Sequence, residues 1–161
     1  MNSYQIKHAV MSYFRFTRQW ICATECYNSD VMVYTGKYIL DIEIKTNKYD
    51  LWRGEARKSK HKHMKIPDQY KRYMLPHKFY ICIPPELLEE ATKWVKATND
   101  KYGIIEATET KFFANVFIKK TARVIHKRPV TEHVLYQIMK RVCSENINHM
   151  GRILNDQRKP K

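Results

Sequence analysis

Residues 30–45 read Asp30-Val31-Met32-Val33-Tyr34-Thr35-Gly36-Lys37-Tyr38-Ile39-Leu40-Asp41-Ile42-Glu43-Ile44-Lys45. A Thr35-Gly36-Lys37 turn between two β-rich runs predicts a hairpin. In its second arm side chains alternate, so Leu40, Ile42 and Ile44 make an apolar face and Asp41, Glu43 and Lys45 an ionic one. The flanking Tyr38-Ile39-Leu40 suits a strand internal to a sheet, where unpaired charges are costly. A divalent metal held by Asp30 and Glu43, with Lys45 beside it, gives those charges a purpose and points to phosphodiester hydrolysis.

The register carries this expectation. A hairpin centred on residues 35–37 pairs position 30 with about position 42, which brings Asp30 beside Glu43. Lys45 lies about 6 to 7 Å along the same face from Glu43, within reach of a metal-bound water or a phosphate oxygen. There its cation can offset charge that develops during hydrolysis. A bare Glu-x-Lys also reads as an exposed ion pair of small energetic weight.

Working outward, Trp20 to Tyr27 reads as a strand and Asn28-Ser29 as a turn, so three strands form a meander. Ser3 is placed to cap a first helix to about Arg18, with Ile6, Val10, Phe14 and Thr17 on its inward face. From Thr46 to Lys78 the chain turns basic. Arg53, Arg57, Lys58, Lys60, Lys62, Lys65, Lys71 and Arg72 are interspersed with Trp52, Tyr70 and Tyr73. Such residues track a phosphate backbone and stack on unpaired bases. His61 and His63 read as a solvated part of this loop, suited to phosphate contact. Lys78 to Ile83 returns to strand, Pro84-Pro85 opens a helix with an inward face of Leu87, Leu88, Ala91, Trp94 and Val95, and short strands follow at 102–106 and 112–118. Lys119, Lys120, Arg123, Lys127 and Arg128 form a second basic cluster before a final helix from Thr131 to about Leu154, whose apolar residues include Val134, Leu135, Ile138, Met139, Val142 and Ile147.

A chain of 161 residues suits one domain, here 1–155, with a basic flexible tail at 156–161. Thirty Lys and Arg against 16 Asp and Glu give a formal charge of +14, a field that attracts nucleic acid. The first twenty residues offer no signal-peptide stretch, and no run is long enough to span a bilayer. The expectation is a soluble cytoplasmic protein with no membrane partner. Cys22, Cys26, Cys82 and Cys143 read as ordinary thiols, although Cys22 and Cys26 would share a strand face.

The run from Asp30 through Glu43-Ile44-Lys45, with its bracketing hydrophobic residues, resembles the active-site hairpin of the PD-(D/E)XK nuclease superfamily. Asp50-Leu51, Tyr70 to Pro76 and Phe79-Tyr80-Ile81-Cys82-Ile83-Pro84 extend the likeness, over roughly Glu25 to Glu106, to its MmcB-like DNA-repair branch. The resemblance implies an α/β, restriction-endonuclease-like core, a mixed β-sheet flanked by helices. It implies Asp30 and Glu43 as ligands of Mg²⁺, with Mn²⁺ as substitute, and Lys45 as the catalytic lysine. The activity implied is a deoxyribonuclease, an endonuclease of DNA repair, recombination or phage and host DNA processing, leaving a 5′-phosphate. The first helix lacks the acidic residue some members use, for which Glu25 or Asp41 could substitute. Gln69 and Tyr73 reproduce the Q-x-x-x-Y spacing of RecB-like relatives. The alternatives are a non-catalytic nucleic-acid-binding module on the same fold and an RNA nuclease, and the final helix offers a homodimer surface.

Overall fold

The computed structural model describes residues 1–109 and 114–157. A first helix, α1 (Ser3–Ser12), is followed by the strands β1 (Ile21–Cys26), β2 (Ser29–Tyr34) and β3 (Ile39–Ile44). Residues 46–70 form short helical turns that include α2 (Lys60–Lys65). Then come β4 (Lys78–Ile83), α3 (Leu88–Thr98), β5 (Gly103–Glu109), β6 (Ala114–Lys120) and α4 (Glu132–Gln157). The strands build one six-stranded mixed sheet in the order β1-β2-β3-β4-β5-β6. The first three run antiparallel, β3, β4 and β5 are parallel, and β6 returns antiparallel. The expected mixed sheet flanked by helices is therefore present, and β3 is an internal strand.

α1 is capped one residue earlier than expected. Asn2 Oδ1 accepts the Gln5 N–H at 2.9 Å and Asn2 N–H donates to Gln5 Oε1 at 2.8 Å, a reciprocal cap. The helix widens into a π-turn over Tyr13–Thr17. This turn rotates Thr17 into solvent, while Ile6, Val10 and Phe14 stay buried against the sheet. The β1–β2 turn is also one residue earlier: Tyr27 and Asn28 both adopt left-handed backbone, at φ +52° and +62°, and Ser29 already belongs to β2. Two such residues make the turn whose twist suits a hairpin. Glu25 is left-handed as well, at φ +49°, which breaks alternation in β1. Cys22 therefore joins the core under α1, whereas Cys26 joins the core near α4, so the two thiols do not share a face.

The faces of β3 go to different layers. Leu40, Ile42 and Ile44 pack with Val31, Val33, Cys82 and Ile105 beneath α1. On the other face Phe79, Ile81 and Ile83 of β4 pack with Leu51, Met64, Trp94 and Tyr102, under the 46–65 segment and α3. That segment is structured, and Leu51, Glu55, His61 and Met64 are buried in it.

The apolar residues of α4 divide between core and surface. Thr131 Oγ1 accepts the Val134 N–H at 3.4 Å, and Val134 and Ile138 enter the core. Beyond them Met139, Val142 and Ile147 are exposed, as are Met150, Ile153 and Leu154. The polar side of the helix is used instead to satisfy the free edge of β1. Glu145 accepts the Thr24 N–H at 2.7 Å and Arg141 Nε donates to the Thr24 carbonyl at 2.8 Å. α4 also runs to Gln157, into the expected tail. Residues 158–161 and positions 112–113 of the expected sixth strand lie outside the described residues. No helix among the described residues is long and apolar enough to cross a membrane.

Candidate functional site

The ionic face of β3 lies under the segment 46–65. Val31 pairs with Ile42, so the expected register was one step off and Asp30 stands opposite Glu43 by continuation of the ladder. Lys45 is held just beyond the strand end, its N–H donating to the Cys82 carbonyl at 2.9 Å. Asp41, Glu43 and Lys45 are all buried, at 3%, 1% and 5% exposure. These charges sit inside the protein, and an exposed ion pair does not describe them.

They are joined by groups from the covering segment. Lys45 Nζ lies 3.5 Å from Glu43, 3.4 Å from Asp50 and 3.2 Å from Glu55. Gly54 permits this placement of Asp50, since a Cβ on residue 54 would collide with Asp50 Oδ1. Lys58 Nζ donates to Glu43 at 2.5 Å and lies 2.8 Å from Glu55. Lys60 Nζ is 2.9 Å from Asp41, in contact with Glu43 and 3.8 Å from Glu55, with the Phe79 ring 5.1 Å away. Three buried carboxylates, Asp41, Glu43 and Glu55, and the half-exposed Asp50 thus face three ammonium groups. Behind them His61 Nε2 meets Glu55 Oε1 at 2.9 Å and His61 Nδ1 meets the Tyr102 hydroxyl at 2.8 Å, which fixes the Glu55 carboxylate in place.

Ionisation is shared unevenly. Burial pushes Glu43 up to about 7, with Asp41 and Glu55 raising it further and Lys60 and Lys58 opposing. Burial also acts to raise Glu55, but the bonds from His61 and the nearby Lys60 and Lys58 outweigh it and hold Glu55 well below the carboxylate range. Burial alone would lower Lys45 and Lys60; the surrounding carboxylates reverse this and keep both above the ordinary lysine value. Glu55 keeps its charge, and Glu43 is the first of this pair to take a proton as pH falls.

Asp30 is engaged elsewhere. Its Oδ2 accepts the Ile44 N–H at 2.8 Å and its Oδ1 lies 3.7 Å from Lys7 of α1, which also pairs with Glu25. Gln69 is exposed on a short 3₁₀ turn, and Tyr73 is exposed beside His63 and Tyr70, at ring distances of 4.7 and 5.8 Å. Among the expected phosphate-tracking residues, Lys58 and Lys60 turn inward to the carboxylates. His61 is buried rather than solvated. Lys119 pairs with Glu106 at 3.1 Å, Arg123 with Asp100, Lys120 with the Asp100 and Tyr102 carbonyls, and Arg128 with the Lys71 carbonyl at 3.1 Å. Arg53, Arg57, Lys62, Lys65, Lys71, Arg72 and Lys127 are exposed.

Glu55, His61 and Tyr102 are absent from the expected site. Glu55 carried a signal in the sequence, as a lone carboxylate among the lysines and arginines of 53–65. Tyr102 carried none, because only the parallel placement of β5 brings it near.

The donor set is hard carboxylate oxygen, the chemistry that suits Mg²⁺ or Mn²⁺. Asp41 Oδ1 is buried without a hydrogen-bond partner, whereas Glu55 Oε2 is held by Lys58 at 2.8 Å and Lys45 at 3.2 Å, and the Lys60 ammonium stands as a cation near all three carboxylates. Among the described residues no three His, Cys, Asp or Glu side chains form a group that could hold a metal ion. The cations these carboxylates face are the ammonium groups of Lys45, Lys58 and Lys60. No family model, curated protein or solved structure matches the chain.

Proposed function

We propose that the protein is a metal-dependent nuclease that hydrolyses DNA phosphodiester bonds on a restriction-endonuclease-like core. The observation that carries this reading is the buried Glu43–Lys45 pair on an internal strand, surrounded by more carboxylates than a structural ion pair requires. Buried charges contribute little to stability, and packed apolar groups of similar volume often serve as well or better. Four of them, Asp41, Glu43, Lys45 and Glu55, concentrated at one strand beside the partly exposed Lys58 and Lys60 therefore call for a chemical use.

Glu43 would hold the ion, with Asp30 as the second ligand that the family resemblance implies. When bound, a divalent ion supplies Lewis-acid stabilisation of phosphoryl oxygens and lowers the pKa of an attacking water. Lys45, fixed by the Cys82 carbonyl and by Glu55, presents a positive charge beside Glu43 with little freedom to reorient. Exposed Lys62, Lys65, Lys71 and Arg72, next to the His63–Tyr70–Tyr73 aromatic cluster, suit contact with phosphates and unpaired bases. The formal charge of +14 favours the same partner.

A homodimer is part of the proposal. Tyr136, Met139, Ile147, Met150 and Leu154 expose an apolar stripe about 27 Å long on α4, and a second copy would bring two sites to a duplex. Sedimentation at rising concentration tests this; a monomer throughout removes it. The hydrolytic reading is tested with Glu43→Ala, expected to lose cleavage while DNA affinity changes little. Full activity in that variant would remove Glu43 from the mechanism.

A further inference from the structure

On the sheet face that carries Glu43, the opposite end of β3 borders a cavity of about 510 Å³. Ile39, Met74, Leu75, Val130 and Val134 give it an apolar floor. Lys71, Arg72 and Arg128 supply its wall with positive charge, and among the described residues none that lines it is Asp or Glu. Unlike Lys58 and Lys60, these cations therefore meet no carboxylate within the space they line. The two buried histidines of the cavity have no nitrogen to spare. His77 bonds to the Ile39 N–H and the Arg128 carbonyl, and His126 bonds to the Leu75 carbonyl and the Arg128 N–H. Together they pin Arg128 by both of its backbone groups. Its Nη1 is held as well, donating to the Lys71 carbonyl at 3.1 Å, whereas Nε and Nη2 are buried with no hydrogen-bond partner.

We propose that this cavity binds a nucleotide by a terminal phosphate, either a free mononucleotide or the end of a strand, with Arg128 as the phosphate anchor. Nε and Nη2 form the edge by which a guanidinium takes two oxygens of one anion, and a buried donor without an acceptor is costly until such an anion arrives. Lys71 and Arg72, both exposed at the rim, add charge to the same phosphate. A bare phosphate leaves the apolar floor unused, and an uncharged apolar ligand leaves the cations unused. A nucleoside phosphate engages both, and the exposed ring of Tyr73, which also lines the cavity, offers its base a stacking surface. The position suits the proposed hydrolysis. Ile39 and Glu43 are four residues apart on one face of β3, about 13 Å, so a strand end held here can continue toward the ionic site. Binding stands on the cavity alone, and only this use of it rests on the nuclease reading.

Two binding measurements test it, both in EDTA so that nothing is cut. Fluorescence anisotropy compares short base-labelled single-stranded DNA bearing a 5′-phosphate, a 3′-phosphate or hydroxyls at both ends. Titration calorimetry compares deoxyadenosine monophosphate with deoxyadenosine and with inorganic phosphate. The phosphate should tighten binding about tenfold, in the strand, in the mononucleotide or in both, and the mononucleotide should bind about tenfold tighter than inorganic phosphate. Arg128→Met should lose the gain given by the phosphate, and Arg128→Lys should keep only part of it, because an ammonium lacks the two-pronged edge. Tyr73→Ala should lower the advantage of the mononucleotide over inorganic phosphate. A gain in the mononucleotide alone assigns the cavity to free nucleotide, and a gain in one phosphorylated strand assigns it to that strand end. A gain below about threefold in both ligands, a gain that survives Arg128→Met, or inorganic phosphate binding as tightly as the mononucleotide would overturn the inference. If Arg128→Met fails to fold, judged by its circular dichroism melt, the exposed pair Lys71→Met with Arg72→Met takes its place and must reduce the gain. A phosphate preference in a chain that never cuts would keep this inference and remove hydrolysis; metal-dependent cutting without that preference would do the reverse.

Discussion

The two faces of β3 are built from alternate residues of one short run and solve opposite problems. Leu40, Ile42 and Ile44 lie beneath α1 among other apolar side chains, where their burial lowers the free energy of the fold. Asp41 and Glu43, with Lys45 just beyond the strand end, are equally buried, but they have given up their water and are compensated by ion pairs. The apolar face explains why the strand is there. The ionic face adds stability only while every partner stays in place, and its burial is the observation on which the proposed chemistry rests.

Unbalancing the ionic face should have the largest effect. Glu55→Ala leaves Lys45 and Lys58 short of a partner and should destabilise by about 3–5 kcal/mol. Removing one charge of each sign together, Glu43→Met with Lys60→Met, should cost far less than Glu43→Met alone, or even raise stability. Urea unfolding of the single and double variants measures this, and additive losses would mean that the two charges do not interact in the fold. On the apolar face Ile42→Ala should cost about 2–5 kcal/mol through the cavity it leaves, with DNA affinity unchanged in the folded fraction.

Acid should act at the start of the same strand. Ile39 N–H donates to His77 Nδ1 at 3.1 Å and His77 Nε2–H donates to the Arg128 carbonyl at 2.7 Å, so His77 is neutral in the fold. His126 is placed similarly, with Nε2–H donating to the Leu75 carbonyl, and the two rings are 4.5 Å apart. Burial lowers both histidines from 6.5. The unfolded chain then binds protons that the folded one refuses, so the contribution of this pair is complete above about 6.5 and is lost as pH falls below it. His77→Gln should flatten the fall of Tm between about pH 7.5 and 5.5; an unaltered slope would place the acid sensitivity elsewhere. The smallest effect should come from exposed Lys62 and Lys65. Their replacement by Ala should leave stability within about 0.5 kcal/mol while lowering the salt dependence of DNA binding by about one ion for each phosphate no longer neutralised.

The sheet was legible where one rule acted alone. Period-two alternation located β3 and its neighbours, and the Pro84-Pro85 pair with Glu89 and Glu90 located α3. It failed where a second effect entered. Left-handed Glu25 moved Cys26 to a different layer, and the π-turn after α1 carried Thr17 outward. The apolar spacing of α4 could not say which residues enter the core and which stay outside; of its described residues only Val134 and Ile138 are buried, and beyond them Arg141 and Glu145 attend to the edge of β1. Within the site, the shared face of Glu43 and Lys45 could be read from alternation along their strand, while the burial of that face comes from the segment 46–65 that covers it. The inward turn of Lys58 and Lys60 could not, because a basic run carries no mark of where it meets a buried carboxylate. Asp30 shows the limit of reading register alone: it stands opposite Glu43 along the ladder, yet its carboxylate bonds to the backbone N–H of Ile44.

Whether the ionic face does chemistry is the central question. The most direct measurement is cleavage of labelled single-stranded, duplex and branched DNA, with RNA alongside, by wild type and Lys45→Ala in Mg²⁺, Mn²⁺ and EDTA. The expected result is metal-dependent cutting of DNA by wild type that disappears in the variant and in EDTA. Binding without cutting in every condition, or cutting that survives loss of Lys45, would contradict it.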